Sequence, residues 1–273
     1  PRVLPRAPRP GDRRGLPAGA PGTGADWAAG STGTWRDLAT LVRDAGTGEP
    51  ECLVGDRDPI SYLYTSGTTS APKGVVSSHL AVYIESLTAP LVLRFSEQDR
   101  SAVMMPLFHT AQLNGFTTGL MYVGGTAVLM RAFDPGALMA TIEAERVTQI
   151  FGLPMMYRAM MDHPDIAKRD LSSLRLALYA MAPLPDTDLR IAMEVFGCQF
   201  ALGFGQTEMN PLTTVFPPEY QLSHAGSVGL PVPNVQVGIM DDAGNLLPPG
   251  EAGEIVYRGP HAMEGYLRNP EAT

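Results

Sequence analysis

Residues 64–74 read Tyr-Thr-Ser-Gly-Thr-Thr-Ser-Ala-Pro-Lys-Gly, a run of hydroxyl side chains and glycines closed by a lysine. Glycine lets the backbone approach an anion closely, hydroxyls and amide hydrogens donate to phosphate oxygens, and lysine adds a compact positive charge. The chemistry this composition suits is holding the phosphates of ATP. A polar surface turn would explain the hydroxyls. It would not explain an apolar, aromatic-rich run leading into Thr-Ser-Gly-Thr-Thr and then Pro-Lys-Gly. A Walker-type loop needs Gly, four residues, Gly-Lys and then Ser or Thr. Here Pro72 precedes Lys73 and Gly74 follows it, so the Walker spacing fails.

The elements that must position this loop follow from hydrophobic pattern and turn chemistry. Ile60–Thr65 predicts a strand, 79–94 a helix, Ala102–Pro106 a strand, 110–122 a helix and Thr126–Met130 a strand. Asp134-Pro135 supplies an N-cap and a first-turn proline for a helix through Ala137–Arg146. Thr148–Leu153 and Leu174–Tyr179 predict strands around a helix over Met155–Met161. Asp186–Phe196 is a helix stopped by Gly197, and Cys198–Leu202 a further strand. Alternating strands and helices imply an α/β fold with a mostly parallel sheet and flanking helices. Ligands collect at the carboxyl ends of strands in such sheets, and the loops after Tyr64 and Leu202 are both expected there. After Pro211 the chain turns to short β-type runs, notably Val235–Met240 and Glu254–Tyr257, with a turn over 241–245. This predicts a small β-rich subdomain.

With 273 residues, 44% of them hydrophobic and 18% charged, the chain has the composition of an ordinary globular protein. A net charge of −8 argues against nucleic acid or an anionic membrane as a general partner. No run approaches the roughly 18 apolar residues of a transmembrane segment. Cys52 and Cys198 lack metal-ligand spacing and read as small buried residues, with a reducing cytoplasm as the default location. The first 24 residues differ, with six Pro, five Gly and five Arg against one Asp. They carry too little apolar surface to offset the entropy of ordering.

At this point the sequence resembles the adenylate-forming superfamily of acyl- and aryl-CoA ligases, peptide-synthetase adenylation domains and firefly-type luciferases, and within it the fatty-acid–CoA ligase type. The resemblance covers about Pro59 to Thr273. It rests on the phosphate loop, on Met105-Pro106-Leu107-Phe108-His109, and on Gly203-Phe204-Gly205-Gln206-Thr207-Glu208, with Phe204 where the family usually has Tyr. It continues through Gly226-Ser-Val-Gly229, Gly253-Glu254-Ile255, Arg258-Gly259-Pro260 and Met263-Glu264-Gly265-Tyr266. Tyr179-Ala180-Met181-Ala182-Pro183-Leu184 resembles the segment that lines the adenine and acyl pockets.

The resemblance implies an ATP- and Mg²⁺-dependent ligase that makes an acyl-adenylate and passes the acyl group to CoA. It places Thr65, Ser66, Gly67, Thr68, Thr69, Ser70 and Lys73 around the phosphates, with Ser70 where the family usually has Gly. Thr207 would donate to the α-phosphate and Glu208 would hold Mg²⁺, offsetting the meeting of two anions. Phe204 would stack on adenine beside Ala182, Pro183, Gly203, Gly205 and Gln206. His109, Tyr179, Ala180 and Met181 fall on the acid-substrate side. His109 stands where amino-acid-activating relatives usually carry Asp, so a small carboxylic acid with an uncharged tail is expected, a fatty acid first. A carrier-protein thiol in place of CoA, or a non-catalytic remnant, are the alternatives.

The family pattern runs past both ends of the chain. The expected organisation is a disordered or aberrant segment over 1–34, a partial AMP-binding α/β core over 35–225 and a β-rich subdomain over 226–273, without the mobile C-terminal domain. Such a fragment is expected to be inactive by itself.

Overall fold

The computed structural model describes residues 42–49, 51–65 and 72–273. The expected disordered segment over 1–34 and the loop residues Ser66, Gly67, Thr68, Thr69 and Ser70 lie outside the described residues. The chain forms two compact units, Pro1–Gly55 and Asp56–Thr273. In the first, residues 42–44 make a helical turn, and Cys52 is exposed, against the expectation of burial.

The second unit is built around a seven-stranded sheet. Its strands are β3 (Arg100–Val103), β4 (Thr126–Leu129), β5 (Gln149–Gly152), β6 (Leu176–Tyr179), β7 (Gln199–Gly205), β8 (Leu212–Phe216) and β9 (Leu230–Pro231). They lie in the order β4-β3-β5-β6-β7-β8-β9. Pairing is parallel from β4 to β7 and antiparallel for β8 and β9.

Helices cover both faces of this sheet, so its central strands are apolar on both sides rather than alternating. All four residues of β5 and of β6 are buried. Along β6, Ala177 and Tyr179 join one core cluster while Leu176 and Leu178 join the other. The first cluster takes Leu138, Met139 and Ile142 from α3 (Pro135–Glu145), Tyr157 and Met160 from α4 (Pro154–Met161), and Leu189, Ala192 and Phe196 from α5 (Asp186–Phe196). The second takes Ala89 and Leu93 from α1 (His79–Leu93) and Leu120 from α2 (Thr118–Tyr122).

Local chemistry sets the helix ends. The Ser78 hydroxyl caps α1 by accepting from the Ala81 amide, and Arg94 closes it at φ 55°. Asp134 caps α3 through the Ala137 amide at 2.7 Å, with Pro135 in the first turn. Gly197, at φ 60°, ends α5.

Two further sheets are small. Strands β1 (Pro59–Thr65), β2 (Lys73–Ser78) and β12 (Gly265–Tyr266) form an antiparallel sheet in the order β1-β2-β12. Strands β10 (Gln236–Met240) and β11 (Glu254–Arg258) pair antiparallel, and the Asp241 carboxylate closes the turn after β10 by accepting from the Ala243 and Asn245 amides. Residues 226–273 thus supply strands to all three sheets.

The loop over 66–72, expected at the end of a parallel strand, instead joins the two strands of an antiparallel hairpin in which Thr65 faces Lys73. Seven residues are too few for a parallel crossover, which takes a dozen or more. The predicted helix over 110–122 also differs. Ala111–Thr117 is a π-helical stretch, with the Thr118 amide donating to the Leu113 carbonyl, before α2 begins. Among the described residues, no helix is long and apolar enough to cross a membrane.

Candidate active site

The carboxyl ends of β3, β6 and β7 open onto a cavity of about 940 Å³ that also reaches the mouth of the β1–β2 hairpin. Every described residue singled out from the sequence lines it: Thr65 and Lys73, His109, Tyr179 to Pro183, and Gly203 to Glu208. The structure adds residues that carried no recognisable signal. Thr110 enters from the residue before the π-helical stretch and Ala111, Gly115 and Phe116 from within it; Phe216 enters from the end of β8 and Gln221 from beyond it. A π-type insertion re-aims side chains within a helix and recurs at functional sites. Here it turns Ala111, Gly115 and Phe116 to the cavity.

Gly203 to Glu208 are positioned by a tight junction. After β7, a short 3₁₀ turn carries Thr207 and Glu208, and the Gln206 amide donates to the Pro211 carbonyl at 2.9 Å. A Cβ on Gly205 would lie 1.8 Å from that carbonyl oxygen, so only glycine lets β7 and the returning chain approach this closely. The Glu208 carbonyl accepts from the Met263 amide at 2.8 Å, and its Oε1 accepts from the Tyr266 hydroxyl at 2.6 Å. Lys73, opening β2, holds its Nζ 4.6 Å from the centre of the Tyr266 ring.

His109 follows β3. Its Nδ1 accepts the Ala111 amide at 3.1 Å, which leaves the proton on Nε2. Burial lowers its pKa, keeping the ring neutral. A neutral imidazole with Nε2–H is a donor suited to a carboxylate.

Tyr179, at the end of β6, donates to Gln221 Oε1 at 2.7 Å, and Gln221 in turn donates to the Phe216 carbonyl at 2.6 Å. Burial, with the charge of Asp186 adding to it, pushes the Tyr179 hydroxyl up to about 12. Met181 sits in the loop after β6 at φ 69°, a left-handed conformation that is uncommon for a side chain of its kind, and is more than half exposed. Burial pushes the Cys198 thiol up to about 12, away from the thiolate that nucleophilic attack needs.

A cation, a carboxylate, a neutral imidazole and an aromatic face, Phe204, thus meet along one cavity. A family model for AMP-binding enzymes matches residues 18–267. The chain belongs to the AMP-binding enzyme family.

This AMP-binding chain is 39% identical over 231 residues to a feruloyl-CoA synthase of Amycolatopsis sp., covering 84% of this chain and 47% of that protein. It is 35% identical over 246 residues to 4-coumarate–CoA ligase 2 of Oryza sativa subsp. japonica, covering 85% of this chain and 43% of that protein. Its fold matches the inhibitor-bound N-terminal domain of FACL13 from Mycobacterium tuberculosis with a TM-score of 0.81 at 29% identity, over 86% of this chain and 58% of that one. The chain spans about half the length of the curated relatives it matches.

Proposed function

We propose that this protein serves as an AMP-forming acid–CoA ligase. A carboxylate attacks the α-phosphate of ATP and pyrophosphate leaves; the CoA thiol then attacks the acyl-adenylate, giving the thioester and AMP. The observation that carries this reading is convergence: segments around residues 73, 109, 181 and 207 line one cavity. CoA is preferred to a carrier protein as acceptor because the similar proteins are named as CoA ligases and synthases.

In this reading Lys73, with Thr65 and the loop residues Ser66 to Ser70, faces the β- and γ-phosphates, and Thr207 donates to the α-phosphate. Ala182, Pro183, Gly203, Gly205 and Gln206 frame the adenine, with Phe204 stacked on it. His109 orients the acid through Nε2–H. Catalytic power comes from positioning and electrostatics, with no covalent enzyme intermediate.

The donor set fits Mg²⁺. Among the described residues no cluster of three or more His, Cys, Asp or Glu is present. Mg²⁺ characteristically keeps several waters and takes one or two carboxylates plus substrate phosphates. Glu208 would hold it, with one oxygen fixed by Tyr266. Bound there, the ion would neutralise phosphate charge as the acid approaches.

An acid with an uncharged tail is the proposed substrate, supported by His109 and by apolar walls that include Phe116, Leu212 and Phe216. An aromatic acid takes precedence over the fatty acid expected at first, because the relatives named above act on aromatic acids by name and aromatic rings line the cavity. Two free cysteines among the described residues fit a reducing cytoplasm.

Calorimetric titration with ATP·Mg²⁺ tests the site. Lys73→Ala and Glu208→Ala should each weaken binding about tenfold or more, the cost of a charge-assisted contact, while circular dichroism stays unchanged. Wild-type affinity in both variants would remove Lys73 and Glu208 from the site.

A further inference from the structure

Lys73 and Glu208 are the opposite charges that the proposed reaction needs at one end of the cavity. Half-buried on one cavity, an ammonium and a carboxylate attract each other, and a direct pair would have to break before a phosphate could take the ammonium. They do not pair. No ion pair among the described residues joins them.

Tyr266 touches both. Its hydroxyl donates to Glu208 Oε1 at 2.6 Å, the length of a charge-assisted O–H···O⁻ bond. Its ring offers a face to Lys73 Nζ at 4.6 Å, inside the range of a cation–π contact. The ring is itself held firmly. Tyr266 sits opposite Val75 in the β12–β2 pairing, the Leu267 amide donates to the Gly74 carbonyl at 2.7 Å, and the Tyr266 amide donates to Thr273 Oγ1 at 2.8 Å.

We propose that Tyr266 is a positioning residue that keeps Lys73 and Glu208 apart, each partnered yet available, until phosphates arrive. The two contacts use separate parts of one side chain, so they can be removed separately. Phenylalanine keeps the ring and loses the hydroxyl; leucine loses both. The role in phosphate capture rests on the ATP reading above, but the spacing of the charges does not.

The chain has only two lysines, Lys73 and Lys168, so lysine-labelled NMR resolves the site directly. Lys168 pairs with Asp165 at 2.7 Å and serves as the internal reference. The Lys73 ε-methylene should be shifted upfield by the ring in the wild-type chain and in Tyr266→Phe, and should lose that shift in Tyr266→Leu.

Metal-free inorganic pyrophosphate, titrated calorimetrically, reads the consequence. Tyr266→Leu should bind it about tenfold more weakly, because Glu208 closes on Lys73, and adding Glu208→Gln should restore most of the loss. Because removing a carboxylate favours any polyanion, the rescue is read against Glu208→Gln in the wild-type chain, and the gain in the Tyr266→Leu background should exceed the gain there. An unshifted Lys73 in the wild-type chain, or a Tyr266→Leu defect that Glu208→Gln fails to restore, overturns the proposal. A shifted Lys73 in a chain that does not bind pyrophosphate overturns the phosphate reading and leaves the spacer standing.

Discussion

Asp99 lies at the amino edge of the main sheet, opposite the cavity, and its removal separates scaffold from site. Asp99, Thr148 and Arg175 each immediately precede a strand: β3, β5 and β6. The carboxylate is almost fully buried. It accepts from Arg175 Nε and Nη2 at 2.7 Å each, from the Thr148 hydroxyl at 2.7 Å and from the Ser96 amide at 2.8 Å. Breaking a buried pair by removing one partner costs about 3–5 kcal/mol. The Arg175 side chain is 37% exposed, so water recovers part of that, leaving about 2–3 kcal/mol for Asp99→Asn. At about 2–4 °C per kcal/mol for a chain of this size, Tm should fall by about 4–12 °C.

Burial alone would raise the Asp99 pKa, but Arg175, Thr148 and Ser96 outweigh it and hold the carboxyl below its ordinary value. A depressed folded pKa gives stability that is present above the unfolded value, about 3.9, and lost as pH falls through the folded one. The gap between wild type and Asp99→Asn, measured as thermal or urea midpoints by circular dichroism, should be full at pH 7 and shrink below about pH 4. ATP·Mg²⁺ affinity at 20 °C should be unchanged. A variant melting within 1 °C of wild type at pH 7, or a gap indifferent to pH, would refute the clamp.

Further outcomes follow from a buried carboxyl near the cavity and from two glycines that differ in their surroundings. Glu85 is fully buried in α1, and burial pushes its pKa well above the ordinary range, with the Leu212 amide offsetting part of the rise. Its favourable contribution is present below the unfolded pKa of about 4.3 and lost as pH rises through the folded one, so Glu85→Gln should raise the urea midpoint at pH 8, with the gain fading toward pH 4. Gly205→Ala drives a Cβ into main-chain atoms at the β7–β8 junction and should cost about 3 kcal/mol or more together with ATP binding. Gly244→Ala meets no neighbouring atom and costs only about 1–2 kcal/mol through its φ of 85°, with ATP binding intact; equal effects in the two melts would refute the steric account.

Much of the scaffold was legible because its punctuation is strong. The Asp134-Pro135 start of α3 and the Gly197 stop of α5 are local signals, and they mark the ends found in the structure. What escaped was set by tertiary contact. Strand β8, Leu-Thr-Thr-Val-Phe, is buried throughout and shows no alternation; its place is fixed by pairing with β7 and by Thr213 donating to the Phe204 carbonyl at 3.0 Å. Strands β9 and β12 have two residues each, too short to show any period. The π-helical stretch has the composition of an ordinary helix. For the cavity, motif spacing found the residues on strand ends, whereas Gln221 belongs to no motif and enters only because Tyr179 reaches it.

Tyr266 shows why motif reading stops short of mechanism. Met263-Glu264-Gly265-Tyr266 was visible as a family segment, yet nothing in the sequence said what its tyrosine touches. The answer depends on where the last strand lands. Because β12 pairs with β2 rather than with β11, Tyr266 is delivered beside Lys73; because the Met263 amide holds the Glu208 carbonyl, the same segment is delivered beside Glu208. One short stretch near residue 265 therefore joins two charges that lie 135 positions apart in the chain. The site's electrostatics accordingly depend on the docking of β12. Substitutions that loosen β12 should disturb Lys73 and Glu208 together, whereas changes confined to the β10–β11 hairpin should leave both in place.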